Sequence, residues 1–351
     1  MRSVKNHQKR ILIIHTWGIG DMILLTPALR VAKKMHPELN ITLLVLPHAA
    51  ALPVQNASYV DEIIFGGWKP RELIASLRKL RKEKYHAAFF SSGVTAWKTW
   101  LFLLFIKAKH KISEYNKFKL PCLTDYVPRK PQQSRAHSNY ELLATAIELP
   151  KWEEAVQKRE ELDLATDFTL SEENLEWAAN YIKTQQLGSK NILAIHPGCM
   201  ASNRFRRWPV EYFATLIESV KKDFDLNIVV IAGPDEEEEG RYLSQIEGVK
   251  LLERSSLCNV AAFISLCDVF VNTDSGLGHI ASCFQIPSLT IFGPGDENQT
   301  APFSPKSEIV RLEIDCAPCV RNKKRNCKAE CLLGLSPQMV YDSLKPILEK
   351  L

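Results

Sequence analysis

No stretch of the 351 residues approaches the roughly 18 to 20 unbroken apolar positions that a bilayer-spanning helix needs, so the chain reads as soluble or peripheral. A secretory leader is not expected either. Residues 1–10 are basic, but the apolar run after them ends at Ile14 and leads to Trp17-Gly18 with no small-residue cleavage site. A disulfide framework is equally lacking. Nine cysteines is an odd number, and Cys122, Cys199, Cys258, Cys267 and Cys283 stand singly, which suits free thiols in a reducing compartment. No short-period repeat or low-complexity tract breaks the chain. A cytoplasmic location is the expectation, and with 46% hydrophobic residues there is apolar material for two domain cores.

The net charge of +5 conceals a division. Residues 1–135 hold 23 Lys and Arg against 8 Asp and Glu, whereas 136–351 hold 22 against 32. A front half at +15 suggests an anionic partner such as nucleic acid, a phosphorylated glycan or a lipid headgroup surface.

Short β-branched or apolar runs alternate with amphipathic stretches, the pattern of parallel strands joined by crossover helices. Strands are expected at 11–15, 41–46, 62–65, 87–91 and 111–113, then at 192–196, 228–232, 249–252, 269–272 and 288–292. Helices are expected at 26–35, 71–84, 171–185, 209–223, 257–266 and 278–283. A last helix at 336–351 would start from Ser336 as cap with Pro337 behind it. Two α/β sheets in tandem follow, with the join in the acidic stretch 151–167. The apolar segment 97–107 reads as a core helix of the first domain, with an interfacial helix as the alternative because Trp and Lys suit headgroup depth.

Four blocks can carry chemistry. Gly18-Ile19-Gly20-Asp21 lies between a strand and a helix, where glycine lets backbone approach a ligand. A dinucleotide fingerprint would want a third glycine at position 23, which is Ile23, so a nicotinamide enzyme is disfavoured. Asp21 is either a helix-start carboxylate or a general base. His196-Pro197-Gly198 followed by Arg204, Arg206 and Arg207 offers a clamp for a diphosphate. Gly233-Pro234-Asp235-Glu236 places carboxylates where a ribose could be held. Asn272-Thr273-Asp274-Ser275-Gly276-Leu277-Gly278-His279 gathers hydroxyls, backbone N–H groups and an imidazole at a helix start, suited to phosphate or sugar oxygens.

These blocks, in this order, resemble the bacterial ADP-heptose:lipopolysaccharide heptosyltransferases of glycosyltransferase family 9. The resemblance implies the GT-B fold, two Rossmann-like domains with parallel sheets facing a central cleft. It implies acceptor binding by 1–163, nucleotide-sugar binding by 164–335, and a C-terminal helix at 336–351 able to cross back to the first domain. It further implies inverting transfer without a catalytic metal, Asp21 as base with Gly18 and Gly20 in the acceptor-side loop, and donor contacts from Arg206, Arg207, Asp235, Ser255, Ser256, Leu257, Asp274, Ser275, Gly276 and His279. Arg206 stands where the family usually has a lysine, which keeps the charge and changes the hydrogen-bond geometry. Implied partners are ADP-heptose, the phosphorylated lipopolysaccharide core and the cytoplasmic face of an anionic inner membrane, not nucleic acid, for which no recognition motif accompanies the charge. Cys316, Cys319, Cys327 and Cys331 form C-x2-C-x7-C-x3-C, open between a structural zinc or iron and free thiols. Rival functions are another nucleotide-sugar transferase on the same fold and a binding protein that keeps the fold without turnover.

Overall fold

Runs such as Ile11-Leu12-Ile13-Ile14 and Leu193-Ala194-Ile195 are apolar on both alternating faces, which a strand tolerates only when covered on both sides. The computed structural model describes residues 9–67, 69–115, 120–319 and 327–351, and in it these runs are the central strands of two parallel sheets. The chain divides into two units, Met1–Thr169 and Leu170–Leu351.

In the first unit the strands are β1 (Arg10–His15), β2 (Asn40–Val45), β3 (Glu62–Phe65), β4 (Tyr85–Phe90), β5 (Ala108–Tyr115) and β6 (Asp125–Pro128), in the order β3-β2-β1-β4-β5-β6. In the second they are β7 (Ile192–His196), β8 (Asn227–Val230), β9 (Val249–Leu251), β10 (Val269–Thr273), β11 (Ser288–Phe292) and β12 (Ser307–Arg311), in the order β12-β11-β10-β7-β8-β9. Every pairing is parallel. The winding reverses once per sheet, between β1 and β4 and between β7 and β10, and each reversal opens a crevice at the strands' carboxyl ends. Both units thus have the Rossmann-like, doubly wound α/β arrangement.

The edge strands β6 and β12 were not expected. Their polar, half-exposed sequences carry no apolar run. The acidic stretch expected at the join is anchored in the first unit, where Arg30 pairs with Asp163 and Asp167. Segment 97–107 forms the helix Ala96–Leu103 and the turn after it. Thr99, Leu103 and Ile106 are buried, yet Trp97, Leu101, Leu104 and Phe105 are exposed, so the core-helix reading holds for one face only.

The last helix, Pro337–Leu348, is capped by Ser336, whose side chain accepts from Met339 N. Its Val340, Leu344, Ile347 and Leu348 join Phe213, Leu216, Ile217 and Val220 of the helix Val210–Asp223 in the second unit's core. Buried Trp208 donates to Leu335 O at 2.9 Å, tying the approach to this helix to the same core. Leu344 is fully buried. Leu344→Ala is therefore expected to destabilise the second unit by about 2–5 kcal/mol, read as a lower urea midpoint; an unchanged midpoint would contradict this packing.

Candidate active site

At the carboxyl end of β1, the backbone leaves the sheet through Thr16-Trp17-Gly18 and enters the helix Ile19–Ile23. Asp21 lies in the first turn of that helix rather than at its cap, and Gly20 is helical. A carboxylate there is favoured by the helix dipole. The turn is held from beneath by His15, which is buried. A carbonyl can only accept, so Nε2–H donates to Gly18 O at 3.2 Å and Nδ1 accepts from Ser91 Oγ at 3.0 Å. Burial lowers the His15 pKa and keeps the ring neutral for this task.

Arg135 meets Asp21 in an ion pair, from the first position of the helix Arg135–Ala146. Its guanidinium also lies 5.1 Å from the centroid of the Trp17 ring. Gly93 closes the group with φ of +99°, beside Arg135 and Trp17, a backbone region where a side chain would be strained. The 91–93 turn that carries it is fixed by Glu114, which accepts from Ser92 Oγ at 2.6 Å and from Gly93 N at 3.0 Å. Asn139 completes the lattice by accepting from Ser92 N at 2.7 Å and donating to Leu24 O at 3.3 Å. Sequence reading found Asp21 and both glycines but not Arg135, Glu114 or Asn139. These lie about a hundred positions downstream in ordinary helix and strand contexts, and only the fold brings them back to the turn after β1.

In the second unit, the loops after β7 and β10 flank the sheet reversal. Arg206 donates to Asp274 Oδ2 at 3.1 Å, and Asp274 is buried directly after β10. Ser275 is the first flanking residue of the helix Gly276–Cys283 and makes no side-chain cap. Its Oγ is buried without a hydrogen-bond partner among the described residues, and the same holds for Arg206 Nε. Buried polar atoms left open cost stability, so the Ser275 hydroxyl open at a helix start, with the Arg206 guanidinium on neighbouring Asp274, marks a place for an anionic ligand. Gly276 has no heavy atom within 4 Å of where its Cβ would be, so the helix start stands in open space. Gly278 leaves room for buried Asn272, which accepts from Thr290 Oγ1 at 3.1 Å. His279 is buried on the same helix.

Arg207 differs from the sequence expectation. Rather than reaching outward as part of a clamp, it donates to Cys199 O at 2.6 Å, Asp235 O at 2.8 Å and Glu236 Oε1 at 2.9 Å, and pairs with Glu239. It latches the loop after β7 to the loop after β8. Glu236 faces inward too, accepting from Gly233 N at 3.0 Å, and occupies the space a side chain at Gly198 would need. Burial pushes its carboxyl up against the opposing pull of Arg207. Of the two expected ribose acids, Asp235 is the exposed one, and it accepts from Ala201 N at 2.9 Å. Beyond β9, Ser256 caps the helix Leu257–Ser265 and Ser255 Oγ accepts from Asn259 Nδ2 at 2.9 Å. All of these residues therefore sit at the carboxyl ends of β7 to β10.

Cys316 and Cys327 are exposed, Cys319 is half-buried, and Cys331 is buried on the short helix Glu330–Leu333. Burial raises the Cys331 thiol pKa, and the neighbouring Cys319, Cys327 and Cys316 raise it further, so the four sulfurs lie within electrostatic reach. Among the described residues, however, no three His, Cys, Asp or Glu side chains converge to hold a metal ion. Arg321, Lys323, Lys324 and Arg325 lie outside the described residues.

His196, at the end of β7, is buried and donates Nδ1–H to Ile231 O at 2.9 Å. Burial lowers its pKa from 6.5 to about 4. Unfolded chains bind the extra proton in that window, so stability should fall as pH drops from 6.5 toward about 4, by on the order of 3 kcal/mol, and level off below. His196→Asn keeps a donor for Ile231 and cannot be protonated. Chemical denaturation across that window should give a shallower pH slope for this variant than for the parent.

The sequence profile of glycosyltransferase family 9 (heptosyltransferase) matches residues 74–330. Lipooligosaccharide heptosyltransferase 2 of Campylobacter jejuni is 28% identical over 167 residues, which are 46% of this chain and 52% of that protein. The chain thus spans about half the length of that curated relative. Lipopolysaccharide heptosyltransferase 1 of Pseudomonas aeruginosa is 22% identical across 97% of this chain and 98% of its own. Among solved structures, the ADP-heptose lps heptosyltransferase II of E. coli superposes with a TM-score of 0.71 at 19% identity, covering 97% of this chain and 99% of that one, which gives both the same GT-B architecture. With the profile spanning most of its length, the chain belongs to glycosyltransferase family 9.

Proposed function

We propose that this protein is an inverting glycosyltransferase that moves heptose from ADP-heptose to a hydroxyl of the lipopolysaccharide inner core, at the cytoplasmic face of the inner membrane. The observation that carries the donor half is the open helix start after β10, where Ser275 Oγ and Arg206 Nε are buried without partners beside the Arg206–Asp274 pair. Such an arrangement suits a diphosphate, and the names of the relatives supply the sugar nucleotide.

Chemically, the acceptor oxygen forms a bond to the anomeric carbon while the bond from that carbon to the diphosphate breaks, and ADP departs with the electron pair. Negative charge grows on the leaving phosphate as the sugar gains oxocarbenium character. Arg206, Ser275, His279 and the N–H groups of Gly276 and Leu277 would meet that charge. Asp235 would accept from the ribose, with Ser255, Ser256 and Leu257 beside the adenine. Asp21 would take the proton of the attacking hydroxyl, and Arg135 would hold its carboxylate in orientation while the Gly18 turn leaves room for the acceptor. Arg207 acts at one remove, by fixing the loop that carries Arg206.

Turnover of ADP-heptose on truncated core acceptors, run beside GDP- and UDP-sugars, tests the reading. ADP-heptose should be the donor consumed, and preference for another sugar nucleotide would favour the rival transferase assignment. Asp21→Ala should lower kcat by about 10²- to 10⁴-fold with little change in donor affinity. Ser275→Ala and Arg206→Met should instead weaken ADP binding, which calorimetry reads directly. A chelator should leave the rate unchanged, because protein donors are assigned to the leaving group; a chelator-sensitive rate would overturn that part.

A further inference from the structure

Two helices of the first unit cover one face of its sheet together. Leu80 from Pro70–Lys82 and Leu103 from Ala96–Leu103 enter the same core cluster as Leu12, Ile14, Leu44 and Phe90, so both helices belong to one layer. Their outward sides differ in chemistry. Along 97–105, Trp97 is 57% exposed, Leu101 48%, Leu104 43% and Phe105 47%. Trp97 and Leu101 stand one turn apart on the helix, Leu104 continues it as its cap and Phe105 lies in the turn that follows, so the four form one exposed apolar stripe. Four large apolar side chains in so short a span exceed the scattered exposure normal for a soluble surface. Lys98 lies 5.7 Å from the Trp97 ring centroid, and Lys98, Lys107 and Lys109 are exposed around the stripe.

The companion helix is the opposite in character. Its sequence carries Arg71, Arg78, Lys79, Arg81 and Lys82 against the single acid Glu72, with Ile74 exposed at 47%. Lys79 pairs with Glu62, but Arg78, Arg81 and Lys82 make no ion pair among the described residues. An apolar stripe and a row of uncommitted cations therefore lie in one layer.

We propose that this two-helix face docks on an anionic lipid bilayer, with Trp97, Leu101, Leu104 and Phe105 entering at headgroup depth and the cations of 71–82 lying against lipid phosphates. Trp and Leu beside Lys are suited to that depth, and basic residues near an anionic surface add attraction that salt screens. The excess of basic residues over 1–135 has the matching sign. A second copy of this chain is a poorer occupant, because two-fold pairing would set Arg78, Arg81 and Lys82 near their own copies. The inference deepens the acceptor side of the proposed function, since a lipid-linked acceptor would be presented at such a surface. It is read without substrate, so the two can fail separately.

Flotation of the full-length protein with phosphatidylcholine vesicles, with and without phosphatidylglycerol, is the test. Binding should require phosphatidylglycerol and weaken with added salt. The double variant Trp97→Ser/Leu101→Ser should bind about tenfold more weakly, and so should Arg78→Glu/Arg81→Glu. All four side chains are exposed, so unchanged thermal midpoints and unchanged turnover on a water-soluble acceptor should accompany the loss. Parent protein that ignores anionic lipid, or variants that float as the parent does, would overturn the proposal. Self-association of the parent that Trp97→Ser/Leu101→Ser abolishes, without vesicle binding, would overturn it in favour of a second copy.

Discussion

Parallel pairing puts the carboxyl ends of all strands in a sheet on one edge, and a single reversal of winding opens that edge at one place. In the first sheet the opening lies between β1 and β4, where Asp21, Arg135 and Gly93 gather. In the second it lies between β7 and β10, where Arg206, Asp274 and Ser275 gather. Neither location is chosen by the side chains themselves. The helices that cross back to the next strand must leave from this edge, so their starts, with unpaired N–H groups, are delivered to the crevice by topology alone. The chemistry then depends on which residues occupy the loops.

Charged groups placed in such crevices must be held, or desolvation would cost more than their use returns. The two units solve this differently. Asp21 faces one cation, Arg135, on a half-exposed rim, and the polar lattice of Glu114, Asn139 and His15 orders the surrounding backbone. In the second unit, adjacent arginines divide the labour. Arg207 is spent on Glu236, Glu239 and two carbonyls, which fixes the loop, while Arg206 lies against buried Asp274. Gly198 belongs to the latch because a side chain there would collide with Glu236. A loop pinned this way presents its cation at little further entropic cost when an anion arrives.

How much of this was readable without coordinates follows from what makes a signal local. The central strands and the helix Thr26–Met35 are legible because burial on both faces, or on one stripe, imposes a pattern within a few residues. Ser171, Ser256 and Ser336 cap helices as their positions suggest, since capping is decided within one turn. The glycine turn and the Asp274 loop are legible for the same reason. Strands β6 and β12 are not, because an edge strand takes its stability from one neighbour and needs no apolar run. Arg135 is invisible because its meaning comes from an ion pair with a residue 114 positions away. The separate place of Arg207 is not legible in the sequence, because three nearby arginines look alike there and only their partners distinguish the one that ties the loops together.

The charge division shows the same limit at larger scale. Of the cations that give residues 1–135 their excess, Arg30, Lys33 and Arg135 are consumed by Asp163, Asp61 and Asp21 within the unit. Those pairs contribute structure and cancel their own field at a distance. Others, among them Arg78, Arg81 and Lys82 of the helix Pro70–Lys82, stand exposed and make no ion pair among the described residues, while Ser76, Leu77 and Leu80 of that helix face the core. Such a helix derives little stability from its charge, because like charges at neighbouring turns repel. It lies in the same helical layer as the exposed apolar stripe from Trp97 to Phe105. Solubility alone would favour scattering both features over the molecule, so their placement in one layer is better explained by a surface that is anionic and apolar at once.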